Sequence, residues 1–227
     1  MLTAILIIGS LWGVYFLTEG PAPWLKAFGL QPRLPEGLIG ILSYPLLHGD
    51  LAHITGNSIT ALVLLTLLFS FYKKVAWQVL GYTWIISGIW MWIAARDGNH
   101  IGFSGVIYGL AAFIFISGML SRYYRMMALS GIIVFLYGSM IWGILPLQPE
   151  ISWEGHLLGG LAGGILAYYY RGEGPKRPKY SWEFNPNEET DLPWNEFEIE
   201  ASEELKEEPE NLKPLNYRYI YKPKDEK

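Results

Sequence analysis

The sequence predicts an all-α membrane protein in which six transmembrane helices precede a polar C-terminal tail. Three observations support this fold class. The 227 residues are 51% hydrophobic and only 17% charged, whereas soluble domains carry about 25% charge. The apolar residues gather in six runs within residues 1–171. That part holds six acids and eight bases, against fifteen acids and nine bases in residues 172–227. We therefore expect a membrane-embedded domain over 1–171 and an acidic cytoplasmic tail over 172–227.

The six runs are long enough to be membrane helices, which need about 20 mostly apolar residues. The first run lacks a basic region before it and an A-x-A-like cleavage site after it, so we interpret it as a retained helix, not a signal peptide. No stretch shows the period-two alternation of a membrane barrel strand. The predicted spans are 2–17, 51–72, 75–95, 104–121, 126–145 and 155–170.

The distribution of basic residues predicts the orientation, because cytoplasmic loops are enriched in Lys and Arg. Eight bases follow spans two, four and six, and three lie on the other side. This bias predicts cytoplasmic N- and C-termini. The external segment 18–50 is partly apolar, so we expect it to lie in the membrane interface. The N-terminus has no Arg-rich transit pattern, which favours a multi-pass protein of a prokaryotic plasma membrane. The eight bases are Lys73, Lys74, Arg122, Arg125, Arg171, Lys176, Arg177 and Lys179, and the three are Lys26, Arg33 and Arg96.

Composition also excludes several kinds of chemistry. The chain contains no cysteine, so disulfides, thiolate metal sites and a cysteine nucleophile are ruled out. The net charge of −4 gives no reason to expect a nucleic-acid partner. No cofactor and no metal are predicted.

Four strongly polar residues open alternate spans, and such groups are costly inside a membrane. His53 and Asn57 open span two, Ser104 opens span four and His156 opens span six. Helices two spans apart begin on the same side of the membrane. All four side chains should therefore lie within one or two turns of the outer face, where they could form one site.

These residue types together are what acyl transfer requires. Ser104 lies between glycines in the stretch from Gly102 to Gly105, which lets a substrate backbone approach closely. A serine hydroxyl needs a base, and His156 titrates near neutral pH. His53 and Asn57, four residues apart on one helical face, are hydrogen-bond donors suited to an oxyanion hole. No third acid is evident, so we predict a Ser–His dyad.

Spacing on spans four and six predicts how the dyad is supported. Tyr108 follows Ser104 by one helical turn, so its ring could stack on His156. Gly159 and Gly163 form a G-x-x-x-G row that permits close helix packing, with Gly105 on the facing helix. A single G-x-S-G or a single membrane histidine is as easily explained by packing. The combination of serine, histidine and the His/Asn pair is much more specific.

With these motifs the sequence resembles the rhomboid family of intramembrane serine proteases over residues 1–171. The resemblance implies a six-helix rhomboid-like bundle whose wet active site opens outward, with Ser104 as nucleophile and His156 as base. It also implies oxyanion-hole roles for His53 and Asn57, and a hydrogen-bonding role for His48 that braces the first external loop. The matching stretches are His48 to Asn57, Gly102 to Gly105 with Tyr108, and Gly155-His156 with Gly159 and Gly163.

Three features depart from the family pattern. Many members carry a Trp-Arg pair in the first external loop, whereas residues 38–42 read Leu-Ile-Gly-Ile-Leu. His100 is not part of the common set, and it is either a hydrogen-bonding loop residue or a modulator of substrate entry. The tail has no counterpart in the minimal fold. It is either a disordered, solvated segment or a docking motif for a cytoplasmic partner.

Three functions compete. The first is a serine endopeptidase that cuts transmembrane protein substrates within the lipid bilayer, near its outer face. The second is a catalytically silent rhomboid-like protein that binds membrane clients. The third is a haem or metal protein using His48, His53, His100 and His156. It is disfavoured because there is no H-E-x-x-H motif, no cysteine and no carboxylate inside a span.

Overall fold

A computed structural model describes residues 1–148 and 150–178, and the predicted tail lies outside the described residues from Lys179 onward. The described part is largely helical, and Met1–Arg177 forms one compact unit of the chain. A helix forms at each of the six predicted spans. The α-helices are α1 Leu2–Glu19, α2 Gly40–Ser43, α3 Leu51–Phe71, α4 Ala76–Ala94, α5 Ser104–Leu120, α6 Tyr124–Tyr137 and α7 Trp153–Tyr169.

Length and apolarity identify the membrane-crossing helices. Helix α1, helix α3 and the stretch Tyr124–Ile144 are each long and apolar enough to cross a membrane, and α5 is a shorter apolar helix. Helix α7 is more polar because it carries Glu154 and His156 among its glycines. The chain is therefore a multi-pass integral membrane protein.

The fifth predicted span is not one regular helix. Helix α6 begins two residues before the predicted start and ends at Tyr137, after which Gly138–Ile144 continues as a 3-10 helix. We call Gly138–Ile144 the 138–144 segment. A 3-10 helix has i to i+3 hydrogen bonds of poorer geometry than those of an α-helix, and two carbonyl groups of this segment, those of Met140 and Gly143, accept hydrogen bonds from side chains.

Helix α5 lies at the centre of the bundle and packs most extensively against α7. Small residues permit this position. A Cβ on Gly109 would collide with Thr83 of α4, and one on Gly118 would collide with the Ser130 hydroxyl of α6. Because α5 is surrounded by other helices, it is apolar on nearly every face, as expected for a buried helix.

The segment between α1 and α3 folds as short helices. They comprise α2 and the 3-10 helices Pro23–Phe28, Pro35–Leu38 and Tyr44–Leu46. Several apolar side chains of this segment are exposed, including Trp24 and Leu42. Within the described residues no strand forms, and the isolated β-bridge pairs Leu30 with His100.

Candidate active site

The starts of α3, α5 and α7 meet at a cavity of about 350 Å³ near one end of the bundle. The cavity contains both partners of the predicted dyad and both predicted oxyanion donors. Its remaining polar lining comes from the turns that precede α3 and α7. The lining residues are Asp50, His53, Asn57, Ser104, Glu150, Ile151, Ser152 and His156.

Ser104 and His156 are hydrogen-bonded to each other. The Oγ of Ser104 lies 2.8 Å from Nε2 of His156, and Nδ1 of the same ring lies 2.9 Å from the carbonyl oxygen of Gly143. A carbonyl oxygen only accepts, so Nδ1 carries the proton and Nε2 is left with a lone pair. The Ser104 hydroxyl therefore donates to Nε2. This is the tautomer in which a histidine can remove the hydroxyl proton.

The 138–144 segment supports the dyad from the side. Tyr108 stacks on His156 with ring centroids 4.1 Å apart and planes 9° apart, and its hydroxyl donates to the carbonyl oxygen of Met140 at 2.7 Å. A Cβ on Gly143 would collide with the Tyr108 hydroxyl and lie 3.2 Å from Nδ1 of His156. Gly143 is thus a site residue that sequence reasoning missed. Its carbonyl occupies the position that a third acid would take.

Helix α3 brings two further donors to Ser104. Asp50 caps this helix by accepting a hydrogen bond from the amide of His53 at 2.8 Å, which satisfies one free amide of the first turn. A Cβ on Gly102 would lie 2.6 Å from Nε2 of His53 and 3.7 Å from Nδ2 of Asn57. Gly102 has a φ of +119°, so a side chain there would be strained as well as crowded. The two donors therefore converge on the backbone just before Ser104.

His48 holds Asn57 in place. Nδ2 of Asn57 donates to Nε2 of His48 at 3.1 Å, and the His48 ring packs edge-on against His53 at 5.0 Å. Burial is the main reason that the pKa of His48 falls to about 4, and the neighbouring His53 adds to the effect. A neutral ring at pH 7 can accept this bond. The second amide hydrogen of Asn57 remains for another acceptor.

Glycines let α5 and α7 approach closely enough for the dyad to meet. A Cβ on Gly159 would collide with the carbonyl oxygen of Gly105, and one on Gly163 with that of Gly109. On the other side, a Cβ on Gly105 would lie 3.1 Å from the carbonyl oxygen of Gly155. The backbones of the two helices are therefore in direct contact along this row.

The loop between α1 and α3 is held in place without a Trp-Arg pair. Nη1 of Arg33 donates to the carbonyl oxygen of Ala95 at 2.6 Å, and its other nitrogen pairs with Asp97. The backbone amide of Arg33 donates to the Trp92 carbonyl at 2.9 Å, and the Trp92 indole donates to Leu34 at 2.9 Å. These residues tie the loop to the end of α4. The φ of +61° at Arg33 is a local conformation that composition does not reveal.

His100 connects three loops at the cavity. Its backbone pairs in both directions with Leu30, at 2.8 and 2.9 Å. Its Nε2 donates to the carbonyl oxygen of Arg96 at 2.9 Å, so Nδ1 accepts from the Ser152 hydroxyl at 2.6 Å. Arg96 in turn pairs with Glu154 at 3.4 Å. Of the two roles left open, the contacts favour that of a hydrogen-bonding loop residue.

The four histidines do not gather around one point. His48 and His53 touch each other, whereas His100 bonds to Ser152 and His156 to Ser104. Among residues 1–148 and 150–178, no group of three or more His, Asp or Glu side chains is arranged to hold a metal ion.

Comparison with known proteins bears on the same region. Residues 35–173 match the family described as "Rhomboid domain". An uncharacterized protein of Mycobacterium tuberculosis strain H37Rv is 30% identical over 176 residues, which is 73% of each chain. An uncharacterized protein of Mycobacterium bovis matches to the same extent. One from Mycobacterium leprae is 33% identical over 151 residues, 62% of this chain and 59% of that one.

Proposed function

Because the chain belongs to the rhomboid family, we propose that it is an intramembrane serine endopeptidase that cuts transmembrane protein substrates near the outer membrane face. One observation carries this proposal. The Ser104 hydroxyl is bonded to the unprotonated nitrogen of His156, and the other nitrogen is held by a backbone carbonyl. The pair has the geometry of a nucleophile with its base.

The first step forms an acyl-enzyme. Oγ of Ser104 attacks the scissile carbonyl carbon while Nε2 of His156 takes the hydroxyl proton. The resulting imidazolium keeps its Nδ1 proton, which remains hydrogen-bonded to the Gly143 carbonyl oxygen. Negative charge develops on the substrate oxygen, where the Asn57 amide, Nε2 of His53 and the backbone amide of Ser104 can donate hydrogen bonds. His156 then gives its proton to the leaving amine, and the peptide bond breaks.

The second step releases the other product. His156 removes a proton from water, and the hydroxide attacks the ester carbon on Ser104 Oγ. The tetrahedral intermediate collapses, Oγ leaves as the ester breaks, and His156 returns the proton to it. The carboxylate product departs and the dyad returns to its starting protonation state. Neither step needs a cofactor.

The substrate must be a locally unwound membrane segment. Amides in a membrane helix are hydrogen-bonded internally and shielded from attack. A cavity of about 350 Å³ admits a short extended stretch of backbone but not a whole helix, which is about 10 Å across. We therefore expect cleavage at segments with small or helix-breaking residues, at the boundary between lipid and water.

The proposal includes an orientation and a location. The excess of Lys and Arg beside the other ends of the helices favours cytoplasmic termini and an outward-facing cavity. A prokaryotic plasma membrane suits this arrangement. Partners would be the membrane substrates themselves and, for the tail, a possible cytoplasmic protein.

Cleavage of a reporter span in reconstituted vesicles tests the activity. Wild-type protein should cut the reporter, and Ser104→Ala should abolish cutting. Ser10→Ala is a matched control, because that exposed hydroxyl donates to the Ile7 carbonyl of its own helix and lies outside the cavity that contains Ser104. A fluorophosphonate should label wild-type protein at Ser104. Retained cleavage by Ser104→Ala would refute the assignment. Capture of membrane clients by both forms without any product would favour the silent client-binding alternative.

A further inference from the structure

A second cavity lies at the opposite end of the bundle from Ser104. It measures about 220 Å³ and is reached at Ser117, thirteen residues along α5, or about 20 Å away at 1.5 Å per residue. The end of α3, the end of α5 and the chain just after α7 enclose it. The lining residues are Tyr72, Ser117, Ser121, Tyr170, Arg171, Gly172, Gly174, Pro175, Lys176 and Arg177.

The mouth of this cavity is cationic. Arg171, Lys176 and Arg177 line it, and no acidic residue does so within the described part of the chain. Arg171 is anchored there, since its Nη1 donates to the Tyr168 carbonyl at 3.0 Å and its guanidinium lies 4.4 Å from the centre of the Tyr168 ring. Within residues 1–148 and 150–178 no carboxylate forms an ion pair with Arg171. The cavity entrance therefore favours an anion.

The floor of the cavity supplies hydroxyl donors. Tyr72 is 2% exposed and Ser117 is 4% exposed. Their hydroxyls lie close enough to interact with each other, and neither has another hydrogen-bond partner among the described residues. Buried polar groups are almost always bonded, and an unsatisfied one destabilises the protein. When one of these hydroxyls donates to the other, one O–H hydrogen is still left without an acceptor. An anion at the cationic mouth would provide that acceptor.

The chain after α7 builds this cavity by folding back over α3. The amide of Glu173 donates to the Tyr170 carbonyl at 2.9 Å, which turns the chain. A Cβ on Gly174 would lie 3.0 Å from the Tyr72 ring, so a larger residue would crowd the contact. The turn thereby brings Lys176 and Arg177 to the same opening as Arg171.

We propose that this cavity binds a phosphate group. A phosphate offers several acceptor oxygens, enough for the two hydroxyls and for the guanidinium and ammonium donors together. The two sources of this chemistry are the headgroup of an anionic membrane lipid and free inorganic phosphate. A position at the end of a membrane bundle puts the opening where lipid headgroups lie.

The test uses full-length protein in neutral detergent and measures its melting temperature. Dioleoyl-phosphatidylglycerol, dioleoyl-phosphatidylcholine and inorganic phosphate are added separately at constant ionic strength. The anionic lipid should raise the melting temperature and the zwitterionic lipid should do so much less. A rise with inorganic phosphate as well would mean that the free ion also binds. No rise with either phosphatidylglycerol or phosphate would overturn the proposal.

Variants distinguish a specific phosphate-binding site from general electrostatic attraction of anions to this end of the protein. Lys176→Gln should weaken binding about fivefold, whereas Lys73→Gln, at the same end but outside the lining, should change it little. Ser117→Ala should weaken binding about tenfold, because the anion loses a hydroxyl donor on the floor of the cavity. Equal losses in both lysine variants, or unchanged binding by Ser117→Ala, would contradict the inference.

Discussion

A methyl group at Gly143 should impair the dyad by displacing Tyr108 and His156. A Cβ there would overlap the Tyr108 hydroxyl and lie 3.1 Å from its ring carbon Cζ and 3.2 Å from Nδ1 of His156. Restoring ordinary contact distance to the hydroxyl requires a movement of about 1 Å or more. A misplacement of that size can cost about 100-fold in rate. We expect Gly143→Ala to slow the reaction of Ser104 by roughly 10- to 100-fold.

The companion variant is Tyr108→Phe, which removes the colliding oxygen and leaves the ring. Alone it loses the hydrogen bond to Met140, which is worth about 1 kcal/mol of stability, and it should slow labelling only a few-fold. In the double variant the collision with the hydroxyl is gone, and the next nearest atoms to the methyl group are the ring carbon Cζ at 3.1 Å and Nδ1 of His156 at 3.2 Å. The double variant should therefore react faster than Gly143→Ala alone.

The assay is the second-order rate of fluorophosphonate labelling at Ser104, with the melting temperature measured in parallel. Gly138→Ala is the matched control, because its Cβ would meet only Val134 of the preceding helical turn, at 3.8 Å. A Gly143→Ala protein that labels at the wild-type rate would refute the reasoning. So would a double variant whose loss equals the product of the two single losses.

Three other predictions follow from the geometry. Gly159→Ala should lower the melting temperature by forcing α5 and α7 apart, whereas its neighbour Gly160→Ala, which faces open space, should be neutral or slightly stabilising. The pKa of His48 is lowered to about 4, so the unfolded chain binds more protons below pH 6.5. Stability should therefore fall as pH drops from about 6.5 to about 4, with a shallower fall for His48→Gln in pH-dependent melting. Glu150 lines the cavity with Asp50, and no Lys or Arg of the described residues does so. Glu150→Gln should therefore reduce any preference for Lys or Arg beside the cleaved bond, measured with paired reporter sequences.

The helices and the family were predictable from the sequence, and both are confirmed. Apolar runs are a strong pattern in membrane proteins because backbone groups in lipid must be bonded within the helix. Because successive spans cross the membrane in opposite directions, the sequence also predicts that the helices carrying Ser104 and His156 begin on the same side of the membrane. Their 2.8 Å contact is the geometry on which their catalytic role, still a prediction, depends.

The support of the dyad was not predictable in the same way. The group that orients His156 is a backbone carbonyl of Gly143, and a carbonyl has no residue type by which sequence could mark it. The 3-10 helix that begins at Gly138 presents the Met140 carbonyl to the Tyr108 hydroxyl, a contact between residues far apart in the chain that local sequence does not reveal. The absence of a third acid and the glycine at 143 were the available hints.

The loop between α1 and α3 shows a similar limit. Its exposed apolar residues agree with an interfacial segment, but its fastening depends on single contacts with distant residues. Arg33 reaches Ala95 and Asp97, more than sixty positions along the chain. Neither periodicity nor composition carries information about such pairs.

The centre depends on the main chain of residues 138–144 more than on its side chains. The acceptors of the Tyr108 phenol and the His156 imidazole are the carbonyl oxygens of Met140 and Gly143. A carbonyl is present whatever the side chain, so a substitution in this segment would disturb the centre chiefly by altering the course of the backbone. Gly143 is the position where even a methyl group would do so, because a Cβ there collides with the Tyr108 hydroxyl.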